Sequence, residues 1–486
     1  MLAIWGAHQL AVAGKAVGTA KPSHALLTGL AYALLGIHDY APLLMNALAS
    51  TVAIVLTYII GRRFFGRPVA LLGALLLAVS EYDVVYARSA LSESDAAALF
   101  LAGIVAWMYL AFSSRVELIM RIRRAAEARI LAGLFMGIAF TANYRIIIYI
   151  AVVVVVDLVV ATLRSRSWRF PAAGAGSWAL GLLVAPVAWE IAGWIMNAHG
   201  IVLFRSELNG SRSNYWQEVY YQLHQGKQSV VHVEPVLYLR WWIVRQGWPA
   251  SLLLLFGLLL ALVRRTVPWL TLLFLVVVPY AIYVFAPFVV PRNLGAALPF
   301  ASLLAAGAVI EFADSVVRMR RVVLGIAIVL LGVLGGTMSW RLTAERSGFA
   351  RSARYVESRA GGHALTSNEV MVFYLRGSGA YCTAPALPLG IPALNRYRHA
   401  GYEYAVVDRH HGTNVVAYIQ SHLRPVARFS AMGNVHAGES LISSENGDAP
   451  QSNFPTEYVE VYRLRGLHIP GRVRGAIALC NREHVT

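Results

Sequence analysis

Ten apolar runs, with arginines clustered in every second connection between them, constrain this chain more than any other feature. The runs lie at 42–60, 68–82, 94–112, 130–142, 146–163, 174–195, 249–263, 267–287, 294–312 and 321–341. A helix needs about 20 apolar residues to cross the hydrocarbon core of a bilayer, and runs of this kind are too apolar to remain in water. The clusters are Arg62-Arg63-Arg67, Arg115 to Arg129, Arg164-Arg166-Arg169, Arg264-Arg265 and Arg318-Arg320-Arg321. Short cytoplasmic loops are rich in Lys and Arg, so all five face the cytoplasm. The connections 83–93, 143–145, 196–248 and 288–293, and everything after 342, then lie outside. The expected fold is an α-helical polytopic membrane protein of about ten spans over 1–341, followed by a small C-terminal extracytoplasmic α/β domain over 342–486.

Composition agrees. Only 14% of the 486 residues are charged and 58% are hydrophobic, against about a quarter charged in soluble domains. The formal net charge of +17 does not point to nucleic acid, because the basic groups flank apolar runs instead of forming one face. Cys382 and Cys480 both follow the last run, and no CxxC or HExxH spacing occurs. The pair can bridge only in an oxidising compartment, and a free or buried pair fits the spacing as well. No metal and no cofactor is implied.

The stretches Met1–Gly14 and 23–36 read as helices lying in the membrane interface, and 196–248 reads as an outer loop. Trp241, Trp242 and Trp248 are expected to form an interfacial aromatic belt. After Thr343 the pattern changes: strand-like runs at His363–Thr366, Glu403–Asp408, Val426–Ser430 and Glu457–Leu464 alternate with helix-like stretches at Gly348–Arg359 and Thr413–Leu423. Such alternation is that of an α/β layer. Ser444–Pro455 reads as a polar loop.

Four polar clusters fall at the outer ends of the runs. They are Lys21-Pro22-Ser23-His24, then Tyr86-Ala87-Arg88 with Glu93 and Asp95, then Asn143-Tyr144-Arg145, and finally Pro291-Arg292-Asn293. Cations at one depth can converge on a phosphate, and a carboxylate beside them can orient an acceptor or take its proton. Each has a plainer reading. An arginine at a span end can snorkel, and Glu93 and Asp95 can complement the dipole of the helix they begin. Asp157, nearer the cytoplasmic end of its run, reads as structural.

In order along the chain these clusters resemble the GT-C superfamily of membrane glycosyltransferases, in particular bacterial members related to protein O-mannosyltransferases and the lipid A aminoarabinose transferase. Lys21-Pro22 with Ala33-Leu34-Leu35-Gly36 is similar to that family's Lys-Pro-Pro and Leu-Phe-Gly elements. Gly61-Arg62-Arg63-Phe64-Phe65-Gly66 is like its first cytoplasmic turn, and Tyr86-Ala87-Arg88 is followed, as in the family, by an acid. Gly133 to Gly137 with Ala139 to Arg145 resembles its Gly-Leu-x-x-Gly and Thr-Lys-Tyr run, and Pro291-Arg292-Asn293-Leu294 to Pro299 its Arg-Tyr and Pro element. The resemblance covers nearly all of 15–341.

It implies a polyprenyl-phosphate sugar as donor, a lipid, glycan or protein as acceptor, membrane lipids as surroundings, and inverting displacement in the inner membrane. Lys21, Arg88, Tyr144, Arg145 and Arg292 become the expected substrate-binding residues, and Glu93 or Asp95 the catalytic carboxylate. Two positions depart from the family. Ser23 replaces the second proline, and no Asp or Glu precedes Asp39, where the family carries an acid in its first outer loop. An upstream span bearing that acid is therefore expected before Met1. The alternatives are an inactive relative that binds a polyprenyl lipid or a partner protein, and a transporter, although no internal repeat is visible.

Overall fold

The computed structural model describes residues 21–36, 40–88, 92–111, 118–165, 169–199, 214–224, 236–285, 291–316, 320–344, 348–360, 363–367, 375, 387–388, 390–408, 414–430, 458–465 and 467. Met1–Gly14, both cysteines and Ser444–Pro455 lie outside them. The chain divides into two compact units, with the boundary between Leu342 and Thr343.

The first unit is a bundle of helices. In chain order these are α1 (Pro22–Leu35), α2 (Tyr40–Phe65), α3 (Arg67–Ala78), α4 (Glu81–Ala87), α5 (Glu93–Ala111), α6 (Leu118–Ala142) and α7 (Ile147–Ser165). Then follow α8 (Arg169–Ala198), α9 (Tyr215–His224), α10 (Val236–Arg264), α11 (Val267–Val284), α12 (Leu298–Ser315) and α13 (Arg320–Ala344). Two 3₁₀ segments, Tyr144–Ile146 and Pro291–Ala297, precede α7 and α12. Among the described residues, each of the ten apolar runs lies largely in helix. Among the described residues, seven helices are long and apolar enough to cross a membrane, and eight if a bent pair counts as one.

The bent pair corrects the expectation of one plain span at 68–82: α3 and α4 meet at 59°. Ser80 stops α3 and starts α4, its hydroxyl accepting from the Asp83 N–H at 3.2 Å. Gln246 braces this corner, donating to the Ser80 hydroxyl at 2.6 Å. The stretch 196–248, expected as an outer loop, contains α9 and the first turns of α10. Helix α10 runs into its apolar half through a kink at Gly247, where φ is +76°, a conformation glycine adopts without a Cβ penalty. Trp248 is exposed as a belt residue should be, but Trp242 is buried, its ring 6.2 Å from that of Tyr82.

Outward faces are apolar. Leu44, Leu48, Val52 and Val55 on α2 and Val155, Val159 and Leu163 on α7 are exposed at helical spacing. Helix α1 turns its polar residues inward: Ser23, His24 and Thr28 are buried while Leu26, Leu30 and Leu34 are exposed. That reverses the pattern of a helix in water and suits one flanked by acyl chains. Inside, α6 and α8 touch backbone to backbone. A Cβ on Gly181 would lie 2.2 Å from the Ile130 carbonyl oxygen, and one on Gly133 3.0 Å from the Gly181 Cα. Small residues permit such approaches between membrane helices. This docking holds the C-terminal half of α6 against α8.

The second unit is a four-stranded sheet of β1 (Ala364–Thr366), β2 (Tyr404–Asp408), β3 (Ala427–Ser430) and β4 (Tyr458–Arg463), in the order β1-β2-β4-β3. The β1–β2 pair is parallel and the other two are antiparallel. Helix α14 (Gly348–Ala360) covers one face through Phe349, Ala353 and Val356. Helices α15 (Ile391–His399) and α16 (Asn414–His422) cover the other through Leu394, Val415, Val416 and Ile419. The sequence reading had no helix at 391–399. Its apolar residues are few, and the run of Arg396, Arg398 and His399 masks the one face it buries.

Candidate active site at the helix ends

Several helix ends meet around one carboxylate. Glu93 opens α5, with Asp95 in the same first turn, where acids are favoured by the helix dipole. Helix α6 stops at Asn143, whose side chain accepts from the Arg145 N–H at 3.2 Å and so forms the tight turn into the next helix. The same amide donates to Glu93 Oε1 at 3.3 Å. The turn delivers Arg145, whose Nη1 lies 4.0 Å from Glu93 Oε1. From the 3₁₀ segment before α12, Arg292 brings its Nε to 3.8 Å from that oxygen. Two tyrosines hold these turns: Tyr283 donates to the Arg145 carbonyl at 2.6 Å and Tyr149 to that of Asn293 at 2.9 Å.

Helix α1 brings the remaining cation. Lys21 precedes its first turn, and Pro22 at the start needs no N–H partner there. The turn is pinned by Ser23, which shares a hydrogen bond with Thr141 of α6 at 2.6 Å and accepts from the Trp189 indole of α8 at 3.1 Å. His24 Nδ1 meets Asp95 Oδ2 at 2.9 Å. Burial pushes the Lys21 ammonium down to about 8; Glu93 opposes this, Arg292 and Arg145 add to it, and Asp95 opposes it.

The cluster is close but not saturated. Arg145 Nη1, Arg292 Nε and Glu93 Oε2 are buried without a hydrogen-bond partner among the described residues, and so are the hydroxyls of Ser92 and Ser94. Buried polar groups are nearly always paired in native proteins. The first three gather around one carboxylate, with hydrogen-bonding capacity that no described residue takes up.

Lys21, Glu93, Asp95, Arg145 and Arg292 are thus brought together, and Tyr144 is buried beside them, its ring centroid 5.7 Å from the Arg145 guanidinium. Arg88 is not one of the buried cations. It caps α4 and is exposed, because the short helix turns Tyr86 inward, close enough to Arg292 to interact with it. His24, the last residue of the first polar cluster, shares the first turn of α1 with Ser23, three positions after Lys21, and pairs there with Asp95. Among the described residues no group of three or more His, Cys, Asp or Glu is placed to hold a metal ion.

Residues 19–189 match the family profile described as dolichyl-phosphate-mannose-protein mannosyltransferase. The chain is similar in structure to ArnT from Cupriavidus metallidurans in the apo state, with a TM-score of 0.56 and 15% identity over 84% of this chain and 86% of that one. The same protein bound to undecaprenyl phosphate matches with a TM-score of 0.57 and 16% identity, at 84% and 86% coverage. The apo oligosaccharyltransferase of Archaeoglobus fulgidus matches with a TM-score of 0.53 and 12% identity over 80% of this chain, which spans 62% of its length. No curated protein sequence matches the chain.

Proposed function

We propose that the chain transfers a sugar from a polyprenyl-phosphate donor to a lipid, glycan or protein acceptor, at the extracytoplasmic face of the inner membrane and with inversion at the anomeric carbon. The observation that carries this reading is the unsaturated cation cluster. Arg145 and Arg292 stand 4.0 and 3.8 Å from one buried carboxylate, too far for full hydrogen bonds, and Lys21 interacts with it electrostatically; a phosphate is the ligand whose oxygens such donors suit. That ArnT, of the same fold, binds undecaprenyl phosphate supports the choice of lipid, and the mannosyltransferase family profile supports the donor class.

In this reading Lys21, Arg145 and Arg292 neutralise the charge that grows on the leaving phosphate. Glu93 holds the three cations together before substrate arrives and meets a sugar hydroxyl afterwards, and Tyr144 backs the Arg145 guanidinium. The sidedness follows from the arginine clusters, which lie at the opposite ends of the helices that form the site. Residues 1–341 are then the membrane domain and 342–486 an extracytoplasmic domain.

The test is binding of undecaprenyl phosphate to the purified full chain, alongside transfer of label from polyprenyl-phosphate sugars in membranes. The expected result is saturable binding that Lys21→Ala and Arg292→Ala each weaken at least tenfold. Wild-type protein that binds no undecaprenyl phosphate, or variants that bind it unchanged, would end the proposal.

A further inference from the structure

We propose that Tyr238 is a positioning residue for transfer: through Asn293, and together with Tyr149, it holds Arg292 where charge develops on the leaving phosphate. The proposal rests on the transferase reading above and extends its machinery to the outer half of α10.

Arg292 needs holding. Its Nε and the Arg145 Nη1 converge on one oxygen of Glu93, at 3.8 and 4.0 Å. Two guanidiniums so placed repel one another, and neither contact is short enough to be a full hydrogen bond. An arginine side chain has many rotamers to lose, so its placement depends on the backbone that carries it.

That backbone is fixed on both sides. A proline precedes Arg292 in the 3₁₀ segment, and the φ of proline has little freedom. Asn293, which follows, is clamped twice. Its carbonyl accepts from the Tyr149 hydroxyl at 2.9 Å, and its side-chain amide donates to the Tyr238 hydroxyl at 2.9 Å. Tyr149, Tyr238 and Asn293 are all buried, so water does not compete for these bonds. Phe100 backs the Tyr149 ring edge-on at 6.1 Å and Tyr280 backs that of Tyr238 at 6.2 Å, which keeps both hydroxyls aimed at the turn.

Arg145 is held in a similar way, with Tyr283 donating to its carbonyl at 2.6 Å. Tyr149, Tyr238 and Tyr283 come from α7, α10 and α11 and lie close enough to interact with one another. They form one tier beside both arginine turns, and that tier sets the spacing of the two guanidiniums. Tyr238 brings the outer half of α10 into it. The same half is anchored again at its far end, where Gln246 donates to Ser80 at 2.6 Å, one residue before the Gly247 kink. A stretch that reads as loop is thereby part of the site.

The test is a double-mutant cycle on the full-length protein. Undecaprenyl phosphate affinity and the rate of sugar transfer are measured for wild type, Tyr238→Phe, Arg292→Ala and the double variant. Tyr238→Phe removes only the oxygen to which Asn293 donates. It should weaken undecaprenyl phosphate binding and slow transfer by about fivefold to tenfold, the size of one lost buried hydrogen bond. In the Arg292→Ala background the same change should alter affinity by less than about twofold, because effects that pass through one side chain do not add. A role in folding alone would give equal losses in both backgrounds. Tyr149→Phe should repeat the pattern, and it decides the matter if Tyr238→Phe does not fold. The proposal is overturned if Tyr238→Phe binds and transfers as wild type does, or if its losses are the same with and without Arg292. Wild type that neither binds nor transfers would instead overturn the function on which the proposal stands.

Discussion

Two buried carboxylates in the same bundle, Glu93 and Asp157, sit among positive groups and indoles in opposite ways. Asp157 on α7 accepts from the Trp107 indole at 2.9 Å, the Trp178 indole at 3.0 Å and Arg129 Nε at 2.7 Å. Those partners come from α5, α8 and α6, so one side chain ties four helices together. Glu93 accepts from the Asn143 amide at 3.3 Å, with Arg292 and Arg145 at 3.8 and 4.0 Å, and its Oε2 has no hydrogen-bond partner among the described residues. The difference separates a structural charge from a functional one. A buried carboxylate with every bond made has nothing left to offer a ligand, whereas one among orphaned donors stands where a ligand can displace or complete it.

Four experiments break or sharpen this contrast. The largest effect is expected from Arg292→Ala, which should slow sugar transfer by about 10³-fold through loss of charge stabilisation at the leaving phosphate, with thermal stability little changed. Asp157→Ala should do the reverse, costing about 3–5 kcal/mol of stability by stranding Arg129 and two indoles, while folded protein still binds undecaprenyl phosphate with wild-type affinity. Denaturation in detergent and lipid binding measure the two. Equal losses of stability in both variants would erase the distinction.

Gly181→Ala should destabilise by about 1–3 kcal/mol through overpacking, since its Cβ would meet the Ile130 carbonyl oxygen at 2.2 Å. Gly176→Ala on the same helix, with nothing within 4 Å of its Cβ, should be neutral or mildly stabilising by the same melts. The smallest effect concerns pH. An ammonium is charged below its pKa, and that of Lys21 is about 8 in the unliganded protein. Undecaprenyl phosphate binding should therefore be strongest below pH 8 and fall several-fold as pH rises through it. Lys21→Arg, always charged, should flatten that decline in titrations between pH 7 and 9.5.

Periodicity and charge sidedness were enough to locate the helices, because a bilayer imposes one length and one orientation rule on every span. They were also enough for the four strands of the second unit, whose short β-rich runs at 363–366, 403–408, 426–430 and 457–464 stand within a residue or so of the observed bounds. Linear reading failed where tertiary contacts overrode the local pattern. The bend at Ser80 depends on Gln246, 166 residues away. Helices α9 and α10 reach into a stretch whose mixed polarity reads as loop.

Lys21, Arg145 and Arg292 could be named as candidates from the sequence because cations at span ends are few and chemically conspicuous. Which of them point inward was not legible. Arg88 and Tyr86 are two residues apart on a helix of seven, and only packing sets which one faces Arg292. Nor could one dimension pair His24 with Asp95 across 71 residues. Sequence alone determined the class of fold, since hydrophobicity and charge act locally. Only the tertiary structure decided the site, since hydrogen bonds require atoms within about 3 Å and that proximity exists only once the helices have packed.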